Sequence, residues 1–237
     1  MTKIVLDNVA VEFPIYGLGN LSWRKNLLHL TTAGKLAKDA HNIPIVRALT
    51  DINFIIEPGQ RVGLSGHNGS GKSTMLRLLA GIYAPTRGNI TVNGKIASIL
   101  DIFLGMDEEA TGYENILLRG VLLGESVASM RRRTPEIKEL SGLDNYLELP
   151  VRTYSTGMRV RLGFAISMTM DADIFLLDEW LAVGDAQFRE KAEAHLKSVV
   201  DNAAVVVIAS HDETLLKSVC NRIIRLENGF IVEDKAN

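Results

Sequence analysis

Residues 62–75, VGLSGHNGSGKSTM, decide how this chain of 237 residues is read. An apolar run, Arg61–Leu64, enters a glycine-rich turn, and Ser73–Leu79 continues with helical spacing. Gly66 together with Gly71-Lys72-Ser73 satisfies G-x-x-x-x-G-K-[ST]. Glycines permit left-handed backbone geometry, so successive N–H groups turn inward around a polyphosphate. The helix that follows aims the positive end of its dipole at the same oxygens. Gly66, His67, Asn68, Gly69, Ser70, Gly71, Lys72, Ser73 and Thr74 are therefore expected to line the phosphates. Lys72 supplies a mobile charge for the β- and γ-phosphates, and Ser73 a hydroxyl for Mg2+. With a strand before it and a helix after it, the stretch has little in common with an ordinary turn. The sequence implies binding of a nucleoside triphosphate.

The remaining composition narrows the class. The formal net charge is −2, so the chain as a whole has no bulk affinity for nucleic acid, although a local basic surface stays open. Cys220 is the sole cysteine, which excludes an intramolecular disulfide and suits a reducing compartment; its plainest role is a small buried hydrophobe. The start, MTKIVLDNVAVEF, alternates like a strand and lacks the basic-then-apolar layout of a signal peptide. No apolar run approaches the ~20 residues of a membrane span. The expectation is a soluble chain, or one lying on a membrane without crossing it.

Along the chain, residues 3–13 read as a strand. Residues 14–45 follow as an insertion with Arg24, Lys25, Lys35 and Lys38 among Leu21, Trp23, Leu27, Leu28 and Leu30. It reads as a loop carrying one or two short amphipathic helices, either solvated or facing a membrane or partner. Strands return at 48–57, a Pro58-Gly59 turn follows, and two short strands in 89–100 suggest a hairpin at Asn93-Gly94. Residues 108–170 switch to helical spacing with joints at Ser141-Gly142 and Pro150, and Arg131-Arg132-Arg133 reads as a solvated helix face. Then come a buried strand (Ile174–Leu177), a helix (Gln187–Val199), another buried strand (Val205–Ala209), a helix (Asp212–Cys220) and a hairpin turning at Asn228-Gly229. Strands alternating with helices imply an α/β fold whose mostly parallel sheet binds its ligand at the carboxyl ends of the strands. The helical block is a subdomain.

Three further groups point to chemistry. Asp178-Glu179 follows the apolar Ile174–Leu177, the way a buried strand delivers an acid to the far side of Mg2+. Glu179, one residue further on, is placed to take a proton from an attacking water; two acids capping a helix would be the plainer reading. His211 follows an apolar strand at a position where a donor could sense a γ-phosphate, though a lone histidine is more often structural. Tyr154-Ser155-Thr156-Gly157-Met158-Arg159 precedes the helical VRLGFAISM and makes a second anion-binding helix tip. A simple N-cap explains Ser155 but not why one chain holds a second such site.

The set GHNGSGKST, YSTGMRVRLGFA, FLLDEWLAVGD and ASHD, in this order and spacing, resembles the nucleotide-binding subunit of an ABC transporter over essentially the whole chain. The resemblance implies a P-loop NTPase (RecA-like) core, 1–100 and 171–237, with a mostly parallel sheet, an antiparallel β subdomain and an inserted ABC-type helical subdomain at about 101–170. It implies that YSTGM is the signature motif, Ala182–Asp185 the D-loop and His211 the switch histidine, with Glu179 and His211 catalytic and ATP and Mg2+ as ligands. Two copies would pair head to tail, Ser155, Thr156 and Gly157 of one serving the γ-phosphate on the other, with Asp185 alongside. Ser73, Asp178 and Asp101 are the metal-shell candidates, Asp101 standing where the family has glutamine. Thr156 and Met158 likewise depart from the usual signature glycine and glutamine. Tyr16 and Phe13 compete for the aromatic that stacks on the base, with Tyr16 preferred.

More narrowly, TGYEN (111–115), TYSTGMRVRLGFA and DEWLAVGDAQFREK resemble the subfamily that exports O-antigen, capsule or teichoic acid. The 14–45 insertion is similar to one these subunits place beneath a membrane partner. That implies a peripheral subunit on the cytoplasmic face of the inner membrane, driving a separate permease that makes most contacts to the polymer, and not a nucleic-acid partner. Since the chain stops soon after Asn228-Gly229, no C-terminal carbohydrate-binding domain is expected. The rival readings are an ATPase of another kind of ABC transporter, or a soluble ABC protein acting on nucleic acid.

Overall fold

Alternation in KIVLDNVAVEFP makes Lys3–Pro14 a strand, β1, which buries Ile4, Leu6, Val9 and Val11. This computed structural model describes residues 2–15, 36–38, 44–100, 102–179 and 186–237, with the backbone alone at 36–38 and 186–187. Tyr16, Asp101, the 182–185 segment and most of the 14–45 insertion lie outside the described residues. The chain divides into two units, Met1–Gly94 with Val207–Asn237, and Lys95–Val206.

In the first unit, β1 pairs antiparallel with β3 (Pro44–Ile56) on one side and β5 (Arg87–Asn93) on the other. A short strand, β2 (Leu36–Lys38), adds to β3, so the order is β2-β3-β1-β5. That strand lies within the stretch expected to be loop and amphipathic helix. The β1 ladder slips at Asn8, whose φ is 53 and whose N–H donates to Asn53 Oδ1 at 2.7 Å. A glycine opposite the bulge is forced: a Cβ on Gly88 would stand 2.2 Å from the Asn8 carbonyl oxygen.

The same unit holds β4 (Arg61–Ser65), β9 (Arg222–Glu227) and β10 (Phe230–Ala236) in the order β10-β9-β4, with the end of β8 (Val205–Ala209) beside β4. β4 and β9 run parallel from Val62↔Arg222 to Ser65↔Arg225. Helix α1 (Lys72–Leu79) follows β4. Gly63 lets α6 (Glu213–Val219) lie close, since a Cβ there would meet Leu216 and Cys220 at 3.2–3.3 Å. Cys220 is buried in that contact, which pushes its thiol up to about 12.

The second unit pairs β6 (Ile96–Ile99) in parallel with β7 (Ile174–Asp178), and the start of β8 lies beside β7. Its helices are α2 (Gly112–Leu122), α3 (Val127–Ser141), α4 (Thr156–Met168) and α5 (Ala186–Asn202). They bury Ile116, Met130, Ile137, Leu162 and Phe164, while Gly142 closes α3 in the left-handed C-cap conformation. The architecture is α/β, with a mostly parallel sheet, a separate antiparallel sheet and a helical block.

Two expectations require correction. Asn93-Gly94 does not turn a hairpin: β5 pairs antiparallel with β1, and β6 pairs in parallel with β7. The Lys95 N–H donates to the Asp173 carboxylate at 2.8 Å and the Lys95 carbonyl accepts from Asp173 and Ile174, which draws the chain onto β7. Nor is the arginine triplet wholly solvated. Arg131 and Arg132 are exposed, but Arg133 is half-buried, donating to the Thr169 carbonyl and the Asp171 carboxylate beyond the end of α4.

Thr111 caps α2 reciprocally: its Oγ accepts from the Glu114 N–H at 3.2 Å and its own N–H donates to the Glu114 carboxylate at 2.8 Å. The Thr111 N–H and the Thr111 hydroxyl, both donating to that carboxylate at 2.8 Å, hold the Glu114 carboxyl below its ordinary range. Thr111→Ala should cost about 1 kcal/mol, a fall of about 2–4 °C in melting temperature. A lowered carboxyl contributes stability above its unfolded pKa and loses it as pH falls through the folded value. The gap between the parent and Thr111→Ala in thermal melts should therefore narrow on acidification below the carboxylate range.

Candidate functional site

The loop after β4 is built by what its glycines exclude. Val62, Leu64 and Ser65 are buried, so β4 is anchored on both faces. Gly66, Gly69 and Gly71 then take φ of 141, 77 and 120. A Cβ on Gly66 would stand 2.3 Å from the Leu226 carbonyl oxygen, and one on Gly71 3.0 Å from that of Ala48. The Ser70 N–H donates to the His67 carbonyl at 3.1 Å and closes the turn.

Lys72 is 8% exposed, and its ammonium folds back over the loop, donating to the carbonyls of Gly66 at 2.6 Å and His67 at 3.1 Å. Gly71 provides no side-chain cap for α1. His67, Asn68 and Gly69 are exposed at the rim, and Ser73 and Thr74 are half-buried in the first turn. A nearly buried cation among glycines at a helix start fits a polyphosphate.

His211 belongs to the same unit. The Ser210 N–H donates to the Leu64 carbonyl at 3.1 Å, which sets the end of β8 beside the end of β4. Asp212 caps α6 by accepting from Thr214 and Leu215, so His211 is exposed between a pinned serine and a pinned aspartate. Phe13 is half-buried and meets Tyr83 edge to face, with ring centroids 5.2 Å apart. Tyr16, its competitor for the base, lies outside the described residues.

In the second unit, Ile174, Phe175, Leu176 and Leu177 are buried and deliver Asp178, half-buried, at the carboxyl end of β7. Glu179 follows, exposed, with φ of 65. Left-handed backbone costs a residue with a Cβ roughly 1–2 kcal/mol and clusters at functional sites. Among the described residues no group of three or more His, Cys, Asp or Glu could by itself hold a metal ion. The Ser73 hydroxyl in the first unit and the Asp178 carboxylate in the second are each an oxygen donor of the hard kind that Mg2+ takes. Asp101 and Asp185 lie outside the described residues.

Ser155 is the N-cap of α4, its Oγ accepting from the Met158 N–H at 3.2 Å. Ser155, Thr156 and Gly157 are all exposed. Nothing within the described chain explains Gly157: the nearest atom to an added Cβ is Ser155 Oγ at 3.9 Å. Glycine in a helix costs about 0.5–1 kcal/mol relative to alanine. Tyr154, buried before the cap, donates to the Tyr146 carbonyl at 2.5 Å, and burial pushes its hydroxyl up to about 12.

Sequence reading passed over Asn115 and Arg119, polar residues one helical turn apart on α2 and both buried. Asn115 donates to the carbonyls of Asp107, Ala110 and Thr111 and accepts from the Asp107 N–H. Arg119 donates to the carbonyls of Ile102 and Leu104 and to Ser167 Oγ on α4. Together they bind the segment after β6 to the helices. The signal was present: two polar residues four apart on the apolar face of YENILLRGVLL.

A phosphate loop on such an α/β core defines a P-loop nucleotide-binding protein. The sequence profile of the ABC transporter family matches residues 49–182, and the chain belongs to that family. It is 44% identical over 234 residues to the O-antigen export system ATP-binding protein RfbE of Yersinia enterocolitica, covering 99% of this chain and 98% of that one. It is 39% identical to the teichoic acids export ATP-binding protein TagH of Listeria innocua, spanning 98% of this chain and 66% of that one. In fold it is similar to the ATP-binding cassette MJ0796, solved as a dimer in a post-hydrolysis state with ADP and Pi, with a TM-score of 0.72 at 22% identity.

Gly66→Ala should weaken ATP binding at least tenfold, about 1.4 kcal/mol, because its Cβ meets a backbone oxygen. Gly69→Ala, with open space around the added Cβ, should bear only the strain of φ 77 and bind with a smaller loss. Titration with a fluorescent ATP analogue would rank the two.

Proposed function

We propose that this chain is the ATP-hydrolysing subunit of an ABC transporter that exports a lipid-linked polysaccharide of the O-antigen or capsule type. The observation that carries the mechanism is Gly157, exposed at the tip of α4 with room for a side chain that its own chain leaves unused. A glycine kept there serves close approach from outside. The occupant is the triphosphate held by a second copy, so two chains pair head to tail and each supplies Ser155 and Gly157 to the other's nucleotide. The assignment to polysaccharide export rests on the names of its relatives, RfbE among them, at 44% identity over 99% of the chain.

In this reading Lys72 neutralises the β- and γ-phosphate oxygens, and the loop N–H groups orient them. Ser73 and Asp178 would hold Mg2+, which would supply charge neutralisation at the phosphates. Glu179 takes a proton from water as that oxygen bonds to the γ-phosphorus and the bond to the ADP oxygen breaks in line. His211 donates to the γ-phosphate. Positioning and charge do most of the catalysis.

The subunit is peripheral, on the cytoplasmic side, and works with a separate permease. Among the described residues no helix is long and apolar enough to cross a membrane. A permease contact is supported by Phe103, Leu104, Leu118, Val121 and Leu122, large apolar side chains that are 46–57% exposed on α2 and the segment bound to it.

Glu179→Gln should retain ATP affinity, slow hydrolysis by about 10³-fold or more, and trap an ATP-bound dimer on gel filtration. Adding Gly157→Leu to that variant should leave nucleotide binding to the monomer intact and abolish the trapped dimer. A dimer that persists in the double variant rules out the pairing through Gly157, and normal turnover in Glu179→Gln rules out the base.

A further inference from the structure

Asn228-Gly229 joins β9 to β10 with both residues at positive φ, 52 and 85. That is the two-residue geometry favoured for tight hairpins, and asparagine also tolerates the left-handed region. Gly229 has a second duty. Its N–H donates to the Ser70 carbonyl at 2.8 Å, and its own carbonyl accepts from the Thr50 N–H at 2.8 Å. A Cβ on Gly229 would stand 2.6 Å from the Ala48 carbonyl oxygen and 3.1 Å from its carbon, both backbone atoms of β3. The hairpin also reaches the start of the phosphate loop, where the Leu226 carbonyl oxygen lies 2.3 Å from the place a Gly66 Cβ would occupy.

We infer that Gly229 is a positioning residue for the phosphate loop, acting through the peptide that links Ser70 to Gly71. A trans peptide is planar, with its C=O and N–H pointing in opposite directions. Holding the Ser70 oxygen against Gly229 therefore aims the Gly71 N–H away from the hairpin, fixing one of the amide donors at the start of α1. Only a residue without a Cβ can come close enough to make that bond while seated on Ala48. The C-terminal hairpin is thus a wall of the nucleotide site. This inference rests on reading 66–74 as the triphosphate loop.

The test measures MgATP affinity and steady-state ATPase kinetics for the parent chain, Gly229→Ala, Gly229→Asn and Asn228→Gly, with far-UV circular dichroism to confirm folding. Asn228→Gly should match the parent. Gly229→Ala and Gly229→Asn should both weaken MgATP by about tenfold or more and raise KM more than they lower kcat. Asparagine is the informative substitution: it relieves the turn but keeps the Cβ. Parental affinity in Gly229→Asn would mean that turn conformation alone selects glycine, which overturns the inference, as would an unchanged KM in Gly229→Ala. Amide exchange on the parent chain gives an arm that needs no variant. The Gly229 amide should exchange slowly and gain further protection when MgATP is added; protection unaltered by MgATP counts against the inference even if the variants fail to fold. A parent chain that does not bind MgATP would bring down the nucleotide reading itself, whereas failure confined to the Gly229 variants leaves that reading standing.

Discussion

The fold is arranged around a lysine ammonium held almost out of water by carbonyl oxygens. A buried charge is costly unless its hydrogen bonds are made, and Lys72 donates to Gly66 and His67 in place of solvent. Those carbonyls can converge only because the loop backbone takes positive φ at Gly66, Gly69 and Gly71. Around them the neighbouring strands press close: β3 offers Ala48 and Leu49 to Gly71, and β9 offers Leu226 to Gly66. The first unit therefore serves as a mould for the loop. Ser210, bonded to Leu64, adds His211 to the same edge.

The second unit solves a different problem. In it a helix tip is exposed while the helix behind it is closely packed. Helix α4 is buried along nearly its whole length from Val160 to Met168, and Tyr154 is anchored just ahead of it. Rigidity also comes from unusual places. Asn115 and Arg119 spend their buried donors on loop carbonyls and on Ser167, and Gly163 lets Ile102 lie against the α4 backbone. A segment with little regular structure is thereby given fixed geometry, and its apolar side chains Phe103 and Leu104 are turned outward. Polar groups inside and apolar groups outside invert the usual arrangement.

Much of the candidate site could be read from sequence because its chemistry is local. The phosphate loop lies within nine consecutive residues, Gly66–Thr74, and the acids follow four apolar residues of one strand, so periodicity and turn chemistry suffice to place them. Asn93-Gly94 shows where such reasoning stops. The dipeptide has the composition of a hairpin turn, yet Asp173, far away in sequence, captures the Lys95 backbone and sends β6 to β7 instead. Arg133 carries the same lesson, since its partners Thr169 and Asp171 lie beyond another helix. Arg119 and Gly229 bond to Ser167 and Ser70, partners brought near by folding that no local pattern names.

The amino-acid sequence alone therefore determined the phosphate loop, the strand that delivers Asp178 and Glu179, the helix tip at Ser155 and the family to which the chain belongs. These follow from short-range rules: which φ a glycine allows, which face a periodic run buries, which residue caps a helix. Tertiary structure decided which strands pair and why Gly229 cannot carry a side chain. Those outcomes depend on contacts such as Gly229 to Ser70 and Ala48, between residues more than a hundred positions apart. Only packing, through the exclusion of one Cβ by a distant carbonyl, could select them.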